Sequence, residues 1–259
     1  MSVSAAETSE PIGAPPPQTS TASLDAVLRP VRSGNTFEEA IKRILQAIKL
    51  GAVTFGDRLP PERELARRLG VSRVTLREAL KALTAEGYVE SRRGRSGGTF
   101  ITYEPGEDHE PVAPELDAED LREHVRDAVI LRRVLEPGAA EAAAARELDE
   151  DETRYLRDRL AEVTAARTRE THRLADARLH LAIAELSGSS SLIAAVADAQ
   201  MTLADLLAAI PVLSRNIDHS NTQHAAIVEA ILANDPEAAG SRMRDHVDGT
   251  SALLTGFLG

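Results

Sequence analysis

The chain has 259 residues, no cysteine, no tryptophan and only 3% aromatics. That length allows two compact domains; the missing thiols exclude disulfides and thiolate metal sites, and the scarcity of rings excludes a base-stacking platform or an aromatic cage. The net charge of −11 is unevenly spread: residues 36–103 hold 13 Lys/Arg against 8 Asp/Glu, and residues 104–259 hold 15 against 30, so a basic part suited to phosphates is joined to an acidic part that phosphates repel.

No apolar run reads as long enough to cross a membrane, and the N-terminus lacks the basic start and apolar core of a signal peptide. A cytoplasmic protein with no membrane partner is expected. Residues 1–34 are rich in Pro, Ser, Thr and Ala and read as a disordered arm.

A DNA-binding domain is expected over 35–103. Thr36 and Glu39 form a capping box, and the helix behind them places Ile41, Ile44, Leu45 and Ile48 on one face before ending at Gly51. Phe55-Gly56-Asp57 is a turn, and Pro60-Pro61 sits where a helix can start. The short helix that follows buries Leu65, Ala66 and Leu69, leaves Arg63, Arg67 and Arg68 outside, and is closed by Gly70. Ser72 then caps a second helix from Arg73 to about Glu86. Its inward side is Leu76, Ala79, Leu80 and Leu83; Arg73, Val74 and Arg77 project from the first turn and a half. Two short strands, Tyr88 to Arg92 and Thr99 to Thr102, flank a basic glycine-rich tip, Arg92-Arg93-Gly94-Arg95-Ser96-Gly97-Gly98. This is the order of a winged helix-turn-helix.

In such a motif the N-terminal residues of the second helix reach base edges, and Arg pairs bidentately with guanine. Ser72 and Thr75 suit phosphate contacts, as does the helix N-terminus itself. Arg93, Gly94 and Arg95 at the wing suit a groove or a phosphate strand. On a generic helix Arg73 and Arg77 would be ordinary solvated residues; the capped turn before them and the basic wing behind them favour double-stranded operator DNA as the partner.

These residues resemble the GntR family of bacterial transcription regulators. The likeness is carried by Gly56-Asp57-Arg58-Leu59-Pro60-Pro61-Glu62-Arg63-Glu64-Leu65-Ala66, Gly70-Val71-Ser72-Arg73, Arg77-Glu78-Ala79-Leu80, Leu83, Glu86-Gly87 and Gly98-Thr99-Phe100. It implies that Arg63, Arg73, Thr75 and Arg77, with Gly94 at the wing tip, touch DNA. The wing is longer than the family's usual short turn.

Residues 104–116 are proline-rich and acidic, and read as a linker. From residue 117 to 259 the pattern is helical, with helices expected near 118–135, 138–147, 150–167, 171–187, 191–210, 220–233 and 236–257. Asp117, Asp149 and Ser220 read as N-caps, Ser220 with Gln223 as a capping box. Pro137-Gly138, Gly188, Pro211 and Asn234-Asp235-Pro236 read as breaks. The expected fold class is mainly α: an N-terminal winged helix-turn-helix with a small β wing, then an all-α antiparallel helical bundle able to hold a ligand.

In that bundle Asp176 and His180 are one turn apart and share a face with Ile183. His224 is centred among Ile227, Val228 and Ile231, and His246 lies with Ala239, Met243 and Leu253. Burying three imidazoles and a carboxylate is costly unless they pair or bind something. Their nitrogen and oxygen donors suit a divalent ion such as Zn, Ni or Mn. His172 is an alternative or supporting group. Arg132 shares a face with Val125, Ala128 and Leu135. It would hold either the carboxylate of an organic acid or an internal salt bridge with Glu136. Arg215 is a weaker candidate for the same acid.

The bundle pattern resembles the FCD-type effector domain of FadR-like GntR regulators. The likeness rests on Arg132-x-x-Leu135-Glu136-Pro137, Asp176-x-x-Leu179-His180 with Ser187-Gly188, His224-x-x-Ile227-x-x-Ala230-Ile231, and Asp235-x-x-x-Ala239 leading to Met243 and His246. Ser189 stands where the family often has Asn. The resemblance implies that Asp176, His180, His224 and His246 bind the metal, leaving positions for an effector carboxylate. It also implies a homodimeric repressor on a near-palindromic operator. A metal-sensing regulator, a metalloenzyme using Glu185 or His172 as base, and a purely structural bundle are the other readings of the same residues.

Overall fold

The computed structural model describes Leu24, Val27, Leu28 and residues 36–94, 97–103, 118–208 and 214–258. Helix α1, Thr36–Lys49, buries Ala40, Ile44, Ala47 and Ile48. Helix α2, Glu62–Leu69, buries Leu65, Ala66 and Leu69 and stops at Gly70, whose φ of 66° lets its N–H turn back to the Ala66 and Arg67 carbonyls. Helix α3, Arg73–Ala85, starts at Ser72, whose side chain accepts from the Thr75 N–H, and buries Leu76, Ala79, Leu80 and Leu83. Strands β1 (Val89–Arg92) and β2 (Gly98–Ile101) pair antiparallel with Val89 opposite Ile101 and Glu90 opposite Phe100. The winged helix-turn-helix is therefore present, with the second strand one residue earlier than expected.

Part of the N-terminal arm departs from the expectation of disorder. Val27 and Leu28 are buried in the same core as α1 and α3, with Leu24 packed against it. The i, i+3, i+4 spacing of these three residues puts them on one helical face, so the stretch has apolar area to bury despite the polar composition around it. The remaining residues of the arm, the whole 104–116 linker, Asp117, Pro211 and Arg95 lie outside the described residues.

Six helices follow: α4 (Ala118–Ala144), α5 (Glu150–Ala165), α6 (Arg169–Leu186), α7 (Ser190–Ala208), α8 (Ser214–Leu232) and α9 (Pro236–Leu258). Asp149 caps α5 in a reciprocal box with Glu152, as expected. Three expectations are corrected. Pro137-Gly138 does not divide α4, which runs through both. Losing one N–H donor costs locally on the order of 3 kcal/mol, and burial of Ala139, Ala140, Ala143 and Ala144 just beyond outweighs it. Ser220 does not cap α8, because that helix already begins at Ser214, and Gln223 is drawn to His246 instead. Finally, residues 190–207 are long and apolar enough to cross a membrane by length and composition alone. Val196, Ala197, Ala199, Leu203 and Leu206 of this stretch are buried in the protein, which makes α7 a core helix.

The two domains share one core. Residues of α1, α2 and α3 form a continuous apolar cluster with Ala139 of α4, Ala177, Leu181 and Ala184 of α6, and Ile193, Val196 and Ala197 of α7. Polar contacts frame this seam. Arg43 Nη1 and Gln46 Nε2 both donate to Asp198 Oδ1, at 2.7 and 3.0 Å. Lys49 Nζ lies 3.5 Å from Asp205, and Arg178 Nε donates to the Gly51 carbonyl at 3.2 Å. A second core fills the bundle between α4, α5, α6, α8 and α9.

Candidate functional site

The recognition end of α3 is organised by its cap. Ser72 Oγ accepts from the Thr75 N–H at 3.0 Å and lies 2.8 Å from Thr75 Oγ1, which fixes the first turn and leaves Arg73 and Val74 outermost. Val74 is 72% exposed. Arg63 and Arg73 are exposed. Arg77 is exposed too, but its Nε donates to Glu62 Oε2 at 2.7 Å, so a base contact would compete with that pair. On the wing Arg92 stacks over Phe100 at 4.6 Å and pairs with Glu90. Arg93 is exposed, and Gly94 adopts a φ of 110°, a turn that a side chain disfavours.

Inside the bundle, α6 supplies Asp176 and His180, α8 supplies His224 and α9 supplies His246. One donor atom from each lies within 4.8 Å of the others. Asp176 Oδ1 is 3.4 Å from His224 Nε2, and Oδ2 is 3.9 Å from His180 Nε2. Such separations belong to atoms sharing one ion with bonds of roughly 2.1 Å. The three rings are buried. Neither nitrogen of His224 or of His180 makes a hydrogen bond of good geometry, although His180 Nδ1 lies close to the Glu136 carboxylate. Orphaned imidazole nitrogens in a dry interior each cost about 1–3 kcal/mol, and a metal ion would satisfy them. The donor chemistry therefore fits a divalent cation.

The supporting groups set the tautomers. His180 Nδ1 faces Glu136 Oε2 at 2.7 Å, and His246 Nδ1 faces Gln223 Oε1 at 3.1 Å. A ring nitrogen facing an oxygen carries the proton, which leaves Nε2 with a lone pair directed at the cluster. Burial pushes the His224 imidazole down to about 4, and pushes His246 well below the usual range as well; both rings are neutral at pH 7, the form that ligates. His180 differs. Burial alone would lower it, but the Glu136 carboxylate outweighs that and raises it.

Glu136, expected only as a salt-bridge partner for Arg132, also supports the histidine cluster. It is fully buried and accepts four approaches: from Arg132 Nε at 2.7 Å, Arg132 Nη2 at 3.1 Å, Gln200 Nε2 at 2.9 Å and His180 Nδ1. Burial pushes its carboxyl up, but Arg132 and then His180 outweigh that and hold it well below the usual carboxylate range. Of the two roles open to Arg132, the internal salt bridge with Glu136 is the one formed. Its third nitrogen, Nη1, is buried without a hydrogen-bond partner, and Arg132 lines the adjoining cavity. Gln200 and Gln223 were missed. A single amide inside the apolar run of α7 was the available signal for Gln200, whereas Gln223 was hidden by its fit to a capping box.

The cavity measures about 410 Å3 and opens beside the cluster; Arg132, Asp176, Gln200, Gln223 and His246 line one end. His172 also lines it and is 3.3 Å from Asn221, a supporting position rather than a member of the cluster. Glu185 receives the Tyr155 hydroxyl at 2.7 Å and does not line the cavity. The Arg215 side chain lies outside the described residues.

Comparison with known proteins finds two family models that match this chain. The model of the family "Bacterial regulatory proteins, gntR family" matches residues 36–101, and the FCD domain model matches residues 127–249. A protein of Mycobacterium gastri named "Putative HTH-type transcriptional regulator RmpR" is 35% identical over 216 residues, 80% of this chain and 76% of its own length. The "Putative L-lactate dehydrogenase operon regulatory protein" of Escherichia coli K12 is 31% identical over 249 residues, 89% of this chain and 90% of its own. The solved structure of a Streptococcus agalactiae GntR protein is 28% identical and superimposes with a TM-score of 0.45, covering 84% of this chain and 99% of that one.

Proposed function

The chain belongs to the GntR family of DNA-binding transcription regulators, with an FCD domain behind its winged helix, and from that premise we propose that it is a homodimeric, cytoplasmic repressor released by a small carboxylate metabolite. Two copies of α3 would read the half-sites of a near-palindromic operator. Arg63, Arg73, Thr75 and Arg77 would make the contacts, with Ser72 and Val74 beside them and Arg93, Gly94 and Arg95 at the wing. Asp176, His180, His224 and His246 would hold one Zn, Ni or Mn ion. The ion supplies a Lewis-acid position for a carboxylate oxygen.

The protein's own residues do the rest. Glu136 and Gln223 orient His180 and His246, and Arg132 offers Nη1 to the acid. Leu203 and Ala204 of α7 form part of the cavity wall, and the same helix carries Asp198, which holds α1. An acid that binds one position of α7 better than another would therefore bias the placement of the DNA-binding domain. The observation that carries this reading is the set of orphaned, buried imidazole nitrogens beside a cavity with an unsatisfied guanidinium nitrogen.

The test is metal analysis of the purified protein beside a His224→Ala variant, with a thermal-shift screen of carboxylic acids on both. Stoichiometric metal in the wild type alone, and an acid that stabilises it alone, is the expected result. Equal behaviour of the two proteins would demote the histidines to core residues.

A further inference from the structure

We infer that the cavity beside the histidine cluster takes a carboxylic acid with an extended apolar body, in preference to a three-carbon hydroxy acid or a polyhydroxylated sugar acid. The inference rests on the effector role proposed above and names the class of acid.

Two helices show how the cavity is layered. On α7 the wall runs from Gln200 to Leu207, and on α9 from His246 to Leu253. Each is a step of seven residues, or about 10 Å along the helix axis. Both begin at the polar end, where Gln200 touches Glu136 and His246 belongs to the histidine cluster. Both end on a leucine, and Ile217 of α8 adds a third large apolar side chain to the wall. The cavity thus has a carboxylate-binding end and an apolar end, roughly 10 Å apart.

Several polar side chains along the wall are committed to the protein: Thr250 Oγ1 donates back to the His246 carbonyl at 3.3 Å, His172 faces Asn221, and Arg173 donates to the Leu207 carbonyl. His219 and Ser220 of α8 also line the cavity, so beyond the polar end two side chains of one helix face a ligand's hydroxyls. A sugar acid would bring hydroxyls around its whole chain, and each one turned to the leucines instead would lose its hydration without return. A volume of about 410 Å3 falls among cavities that enclose drug-sized organic molecules, roughly 300–1,000 Å3. A three-carbon acid would leave the apolar end wet.

The test is calorimetric titration of the metal-loaded full chain with acetate, butanoate, hexanoate and octanoate, and with L-lactate and a hexuronate. Affinity is expected to rise about fourfold per methylene from butanoate to hexanoate. Leu207→Asn and Leu253→Asn, both at half-buried positions, should flatten that series while leaving acetate affinity and metal content unchanged. A flat series in the wild type, or lactate or hexuronate binding as tightly as hexanoate, would overturn the inference while acetate binding preserves the effector role. If no acid binds the metal-loaded protein, acetate included, the effector role falls and the inference with it.

Discussion

Glu136 holds the chemistry of the bundle together more than any one of the four candidate ligands. It neutralises a buried guanidinium, orients a buried imidazole and receives the Gln200 amide. Removing its charge should therefore act on stability and on metal at once. Glu136→Gln is expected to cost about 3–5 kcal/mol in urea unfolding, since Arg132 would be left buried without its counter-ion. The same variant should bind metal roughly 10–100-fold more weakly, because His180 loses the group that fixes its ring. At the other end of the molecule, Arg73→Ala should weaken operator binding by about 1–3 kcal/mol without changing metal content. Fluorescence anisotropy against operator and scrambled duplexes checks this, and an equal loss on both duplexes would reassign Arg73 to phosphate contact. Arg77→Ala should show a smaller loss, because Arg77 must first leave Glu62. The histidines and Arg132 were legible in the sequence because apolar neighbours at helical spacing place them inward. Glu136 was legible only as the Arg132 partner one turn on; its contact with His180, and the roles of Gln200 and Gln223, were not, because a buried Gln or Glu in a helix has the same local pattern as a solvated one until the facing helix is known.

Helix α7 is two-sided. One face lines the cavity through Gln200, Leu203 and Leu207, and another holds α1 through Asp198 and Asp205. Asp198→Ala is expected to leave acid binding intact and to reduce the change in operator affinity that the acid produces, measured as the ratio of operator Kd with and without ligand. An unchanged ratio would mean that the signal leaves by another helix. Gly51, where α1 ends, is the tight point of the same seam: its φ is +67°, and a Cβ there would strike Arg178 and lie 2.8 Å from the Leu174 side chain. Gly51→Ala should lower the melting temperature and shift the operator response together, since it opens the seam without touching DNA or cavity. Local rules served well where the element was short and capped, as at Gly70 and Ser72. They failed at Pro137 and Ser220 because long bundle helices are held by partners distant in sequence, and packing there overrides a proline or a passable capping box.

At the scale of the whole molecule, charge and core point to different behaviour. The basic winged helix and the acidic bundle suggest a binder that docks with one pole toward the duplex. Operator affinity should then fall steeply with salt, with a slope of about −0.9 for each phosphate neutralised. One core cluster, in contrast, spans both domains. Because α1, α2 and α3 pack in one apolar cluster with parts of α4, α6 and α7, thermal unfolding in a calorimeter is expected as a single transition. Two resolved peaks would mean that the seam contributes little. An acid bound in the bundle should raise that single transition as a whole, by mass action on the native state.

The core cluster shared between the domains also limits how such a regulator can be re-wired. Grafting residues 36–103 onto another relative's bundle would expose Ala177, Leu181 and Val196 to water and strand Asp198 without Arg43 and Gln46. A working chimera would have to carry the docking faces of α6 and α7 along with the winged helix. The unit of inheritance for this switch is the pair of surfaces at the seam, and because Ala177 belongs both to that seam and to the cavity wall, a change of operator is more easily made than a change of metabolite.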